Sequence, residues 1–146
     1  NWSSCVGSTG KPGSDYSKCL IQPYYIYDGI LEIPVSIRPM KYIATDAMKT
    51  LHSFAHELKW CQTERNVWLR PTKNPSFIAL KKVLDAVSAD SDYAMFMLHS
   101  SEMMPGGSPS FPDNKSIEEL YNCIERTFAY AKQCGYIGCK LSDYEN

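Results

Sequence analysis

Apolar and polar positions alternate from Ile30 to Ile37. Leu31, Ile33, Val35 and Ile37 fall on one face and Glu32, Pro34 and Ser36 on the other, which predicts a strand. Pro34 has no N–H to give a ladder, so this strand is expected at an edge or bulged. Asp46 then precedes Ala47, Met48, Leu51, Phe54, Ala55 and Leu58, the spacing of an amphipathic helix behind an N-cap. Val67 to Arg70 reads as a short strand stopped by Pro71. Asn74 and Pro75 follow as cap and first turn of a helix that runs to about Val87 through Ile78, Leu80, Val83, Leu84 and Val87. Tyr93 to Leu98 is an unbroken apolar run of strand length, as expected of a parallel strand buried on both faces. After a Gly/Pro/Ser loop from Pro105 to Pro112, Ser116, Glu118 and Glu119 open a helix with the stripe Ile117, Leu120, Ile124, Phe128 and Ala131. Gly135 ends it, and Tyr136 to Leu141 reads as a last strand.

Strands alternating with helices predict an α/β fold with parallel strands and crossover helices. About four strands are on offer, whereas a closed β/α barrel takes roughly 250 residues, so an open sheet or part of a barrel is expected. Residues 1–29, rich in Gly, Pro, Ser and Tyr without a sustained period, read as a long loop region within one domain spanning 1–146.

Composition narrows the partners. Fifteen Lys and Arg stand against sixteen Asp and Glu, so no positive field exists to hold a nucleic acid or an anionic membrane. The longest apolar run, Tyr93 to Leu98, is far short of the roughly 20 residues of a membrane span. The chain starts at Asn1 without an initiator Met or a leader pattern, so the natural N-terminus can lie elsewhere. Cys5, Cys19, Cys61, Cys123, Cys134 and Cys139 form no C-x-x-C pair and are read as buried free thiols, in keeping with a reducing, cytoplasmic compartment.

Candidate chemistry concentrates in Met95 to Phe111, MFMLHSSEMMPGGSPSF. His99 stands just beyond the expected strand, where α/β folds gather reactive side chains. Ser100, Ser101 or Glu102 could orient its imidazole, and Gly106-Gly107 lets backbone approach a ligand. Trp68 and Arg70 alternate with Leu69 and so share a strand face, from which they could stack on and hydrogen-bond a sugar. The competing reading puts Trp68 in the core and pairs Arg70 with a nearby carboxylate. His52 and His56 have the i, i+4 spacing of a helical metal pair, but the surrounding periodicity fits an ordinary surface helix, so no metal ligand is assigned.

The segment LHSSEMMPGGSP, followed by FAYAKQCGYIGCKLSDY from Phe128 to Tyr144, resembles the end of the polysaccharide deacetylases of carbohydrate esterase family four. Asn1-Trp2, Asp15-Tyr16-Ser17, LEIPVSI and WLRPTKN look like a subgroup associated with surface-polysaccharide biosynthesis. The resemblance implies a distorted (β/α)7 barrel, a divalent metal such as zinc held by one Asp and two His, and hydrolysis of N- or O-acetyl groups on sugars. Carried over by motif, His99 would be the general acid and Leu98 would help line the acetyl pocket; Glu102, and Trp68 and Arg70, which match no motif of the family, are candidate sugar contacts from the residue pattern. No Asp-Asp pair occurs in the chain, and the family's Arg-containing and Asp-x-x-x-Trp motifs are also missing. The expectation is therefore the C-terminal portion of such a barrel, with no cofactor of its own and inactive as a separate molecule. Half a barrel exposes strand edges, so pairing with a second copy or with the missing N-terminal half is expected. The alternative is a non-catalytic α/β module for carbohydrate binding or assembly, and a further one is a small metal hydrolase built on His52, His56 and His99.

Overall fold

A computed structural model describes residues 20–43 and 62–144. The chain divides into two compact units, residues 1–68 and 69–146. In the first, β1 (Tyr24–Ile26) and β2 (Ile30–Glu32) form an antiparallel hairpin, with Tyr24 opposite Glu32, around the tight turn Tyr27–Gly29. Gly29 closes that turn at a φ of 77°, a conformation an L side chain resists. A second antiparallel pair joins β3 (Ile37–Ile43) to β4 (Gln62–Trp68), in register from Ile37 opposite Trp68 to Ile43 opposite Gln62.

These pairings overturn the expected parallel sheet. Among the described residues all four strands are antiparallel, in two sheets of two, and neither a crossover unit nor a barrel is formed. The strand read across Ile30 to Ile37 is two strands interrupted at residues 33–36. Pro34 lacks the N–H that a continuous ladder needs, and the pattern of alternation passes over that break. The helix read from Asp46 lies outside the described residues.

The second unit is built on two helices. α1 (Phe77–Ser88) buries Leu80, Val83, Leu84 and Val87. Ser76, not Asn74, caps it by accepting the N–H of Ala79, while Asn74 takes a left-handed φ of 57° just upstream. Ile78, assigned to the stripe, is exposed. α2 (Asn114–Gln133) starts at Asp113, whose carboxylate accepts the N–H of Ser116 at 2.8 Å while the Ser116 hydroxyl oxygen accepts the N–H of Asp113. It buries Ile117, Leu120, Cys123 and Thr127 and leaves Phe128 half in solvent. At its end Tyr136 N–H reaches Ala131 O and Gly135 N–H reaches Lys132 O, the paired bonds of a glycine-terminated helix, with Gly135 at φ 90°.

Of the strand expected over Val67 to Arg70 only Val67 and Trp68 are in a strand, at the end of β4, and the two expected later in the chain are not formed. Tyr93 to Leu98 is irregular and, apart from Tyr93, half-buried; within it the Met97 N–H donates to Leu69 O at 3.1 Å. An apolar run supplies the burial a central strand requires but not the neighbouring strand that makes it one. Tyr136 to Leu141 forms no strand either, and Ile137 stands 90% exposed. The two helices are joined by a polar triad. Lys81 Nζ donates to Asp85 Oδ2 and to the Tyr130 hydroxyl, each at 2.8 Å, and that hydroxyl donates to Asp85 Oδ1. No helix among the described residues is long and apolar enough to cross a membrane.

Candidate functional site

Residues 98–111 connect the apolar run to α2. Leu98 and Ile124 pack against the buried cluster of Phe111, Ile117 and Leu120, so the loop is anchored at both ends by the same core. His99, exposed, then caps a single 3-10 turn over Ser100–Met103. The Glu102 N–H donates to His99 O at 2.9 Å, and Glu102 Oε2 accepts the His99 N–H at 3.1 Å. The peptide groups on either side of His99 are thereby held by one residue.

Glu102 is itself held. Its other oxygen, Oε1, accepts from Arg70 Nη2 at 2.6 Å, and the two side chains are only 7% and 18% exposed. A carboxylate buried to this degree needs a charged partner and a further donor, and here it has both. The buried Arg70 Nε has no hydrogen-bond partner among the described residues.

Beyond the 3-10 turn the chain folds back on itself. Gly107 N–H donates to Met104 O, Gly106 N–H to Phe111 O and Phe111 N–H to Ser108 O, all at 3.0–3.1 Å. A Cβ at Gly107 would run into the Ser101 carbonyl and the Met104 side chain, so this position has room only for hydrogen. From α2, the Tyr121 hydroxyl donates to Met103 O at 3.1 Å. Met103, Met104 and Tyr121 remain substantially exposed, forming an apolar surface on the turn and the helix that holds it.

The structure thus gathers Leu98, His99, Glu102 and Arg70 into one local arrangement. Arg70 follows the paired-carboxylate reading, with Glu102 as its partner. Trp68 ends β4 in the first unit, half-buried and opposite Ile37, and β4 stops there, so Trp68 and Arg70 are not neighbours on one strand face. Glu102 engages the His99 backbone, whereas the sequence pattern suggested an acceptor for the imidazole. The anchoring parts played by Phe111, Gly107 and Tyr121 were not apparent in the sequence, although a Gly-Gly turn beside a large aromatic was a usable signal.

Among the described residues no three His, Cys, Asp or Glu side chains converge to hold a metal ion. His52 and His56 lie outside the described residues. Cys123 is a buried free thiol, its pKa pushed up mainly by burial, whereas Cys134 and Cys139 are free and exposed, contrary to the reading of all six as buried.

Away from His99, a groove of about 440 Å³ runs beside α2 between Asn74, Phe77, Glu118, Asn122 and Arg126. The Arg126 guanidinium lies 4.4 Å above the Phe77 ring centre and covers its face. No family model, curated protein or solved structure matches the chain.

Proposed function

We propose that these residues belong to a metal-dependent carbohydrate deacetylase, acting on N- or O-acetyl groups of a sugar, in which His99 protonates the leaving group. The observation that supports this is the arrangement around His99. Its backbone is fixed on both sides by Glu102, while the residue itself stands exposed at the start of a loop tied down by Phe111 and Tyr121. A general acid must meet the departing nitrogen or oxygen at hydrogen-bond distance as the C–N or C–O bond breaks, and a fixed backbone with an accessible side chain suits that task. The proton transfer at His99 is the one step assigned to this chain. The reading includes a cytoplasmic setting, which the exposed free thiols of Cys134 and Cys139 favour.

The test is acetate release from N- and O-acetylated oligosaccharides by the protein carrying these residues, supplied with divalent metal. His99→Ala is expected to lower kcat by about 10²- to 10⁴-fold, with metal content unchanged. Loss of the metal would make His99 a ligand, and no release by the unaltered protein would reject the activity. The exposed Met103, Met104 and Tyr121 favour a second reading, a non-catalytic module for carbohydrate binding or assembly. Saturable oligosaccharide binding without turnover would select it.

A further inference from the structure

We infer that Glu102, held by Arg70, is a positioning residue for His99, setting where the imidazole meets substrate without touching the substrate itself. This rests on the proton-donor reading of His99.

A Glu three residues after a cap residue is an ordinary way to satisfy a helix start, and such a carboxylate normally stays in water. Here it caps a turn of only four residues, its side chain is 7% exposed, and it is paired with an arginine 32 positions away in sequence. Burying an ion pair brings little net stability, because desolvation offsets the attraction, so the arrangement is better suited to fixing a position than to holding the fold. Both carboxylate oxygens are committed, Oε1 to Arg70 and Oε2 to the His99 N–H. Neither is left to serve as a base or to receive a sugar hydroxyl as its principal contact. The chain of constraint therefore runs from the Arg70 guanidinium through one rigid carboxylate to the His99 peptide. Removing any link lets the histidine drift, and a misplacement of about 1 Å can cost about 10²-fold in rate.

The test uses Glu102→Ala, Glu102→Gln and Arg70→Lys in the intact protein. Glu102→Ala is expected to lower kcat by about 10²-fold with KM changed less than about threefold, since what is lost is alignment at the reacting atoms rather than binding. Glu102→Gln keeps an oxygen for the His99 N–H and is expected to recover about tenfold of that loss. If Glu102→Ala fails to fold by circular dichroism, Arg70→Lys, which keeps the charge but loses the fork, is expected to give the same kcat loss in milder form. Amide hydrogen exchange provides a readout independent of activity: the His99 N–H is expected to be protected in the unaltered protein and in Glu102→Gln, and to exchange freely in Glu102→Ala. A rise in KM with kcat unchanged would overturn the inference and place Glu102 on the substrate, as would an unprotected His99 N–H in the unaltered protein. Absence of turnover in the unaltered protein with the exchange pattern intact would reject the deacetylase reading and leave the clamp on His99 standing.

Discussion

Residues 99–113 and residues 136–144 both lie outside the two α-helices of the second unit, each with a single 3-10 turn, and they are held in different ways. The first carries a buried aromatic, a buried ion pair, a glycine with room for nothing larger and a tyrosine hydroxyl bonded to its backbone. In the second, Ile137 and Leu141 face solvent, Gly138 has open space around it, and the aromatic contact of Tyr144 with Tyr93 lies near its far end. Order in a loop is set by how many of its side chains reach the core, not by its secondary-structure label.

That contrast is open to direct attack, and the largest expected effect is at Phe111. Phe111→Ala is expected to destabilise by about 3–5 kcal/mol, because it empties the centre of the cluster with Ile117 and Leu120. Ile137→Ala, an equally drastic truncation on paper, is expected to change stability by less than about 0.5 kcal/mol. Urea denaturation of the two variants measures the difference, and equal losses would show that the second stretch is anchored as well.

A smaller contrast uses the least possible addition, one methyl group. Gly107→Ala is expected to cost about 1–3 kcal/mol, since the new Cβ collides with the Ser101 carbonyl, which cannot move without the turn. Gly138→Ala meets no atom and is expected to be within about 0.5 kcal/mol of neutral. A neutral Gly107→Ala in thermal unfolding would mean that the loop is looser than its contacts indicate.

The mildest test is titration of the cap that ends the anchored loop. The Ser116 backbone N–H, and after it the Ser116 hydroxyl, hold the Asp113 carboxyl below its ordinary range. A pKa depressed in the folded state stabilises above the unfolded value, about 3.9, and the contribution disappears as pH falls through the folded value. The Tm of Asp113→Ala is therefore expected to lie below that of the unaltered protein at neutral pH, and the two are expected to converge as the solution is taken well below pH 4. A gap that persists in acid would assign the cap's effect to something other than charge.

The helices were legible because burial follows their period. Leu80, Val83, Leu84 and Val87, like Ile117 and Leu120, lie where a 3.6-residue repeat puts them. Strand partners were not legible. Alternation or an apolar run says that a segment can be buried, while pairing sense depends on what lies beside it, so the run from Tyr93 to Leu98 predicts a parallel strand that is not formed, and no pattern announces the antiparallel pairing of β3 with β4. At the candidate site, the polar residues were visible but their connections were not. Arg70 could be seen to want a carboxylate, yet only the 3-10 turn brings Glu102 within 2.6 Å of it and aims the second oxygen at a peptide N–H.

The triad of Lys81, Asp85 and Tyr130 has a consequence for how this unit can change over generations. Apolar ridges between helices tolerate sliding, since one methyl group serves nearly as well as the next. A phenolic hydroxyl bracketed by an ammonium and a carboxylate one turn apart does not, because displacing it by a helical turn, about 5.4 Å, strips the hydroxyl of both its partners and leaves Lys81 and Asp85 only each other. The triad works as an alignment pin: the apolar side chains between α1 and α2 are free to drift in identity while the pin keeps the two helices at one setting. Covariation confined to these three positions, against a background of interchangeable aliphatics, is the pattern such a pin would leave among descendants.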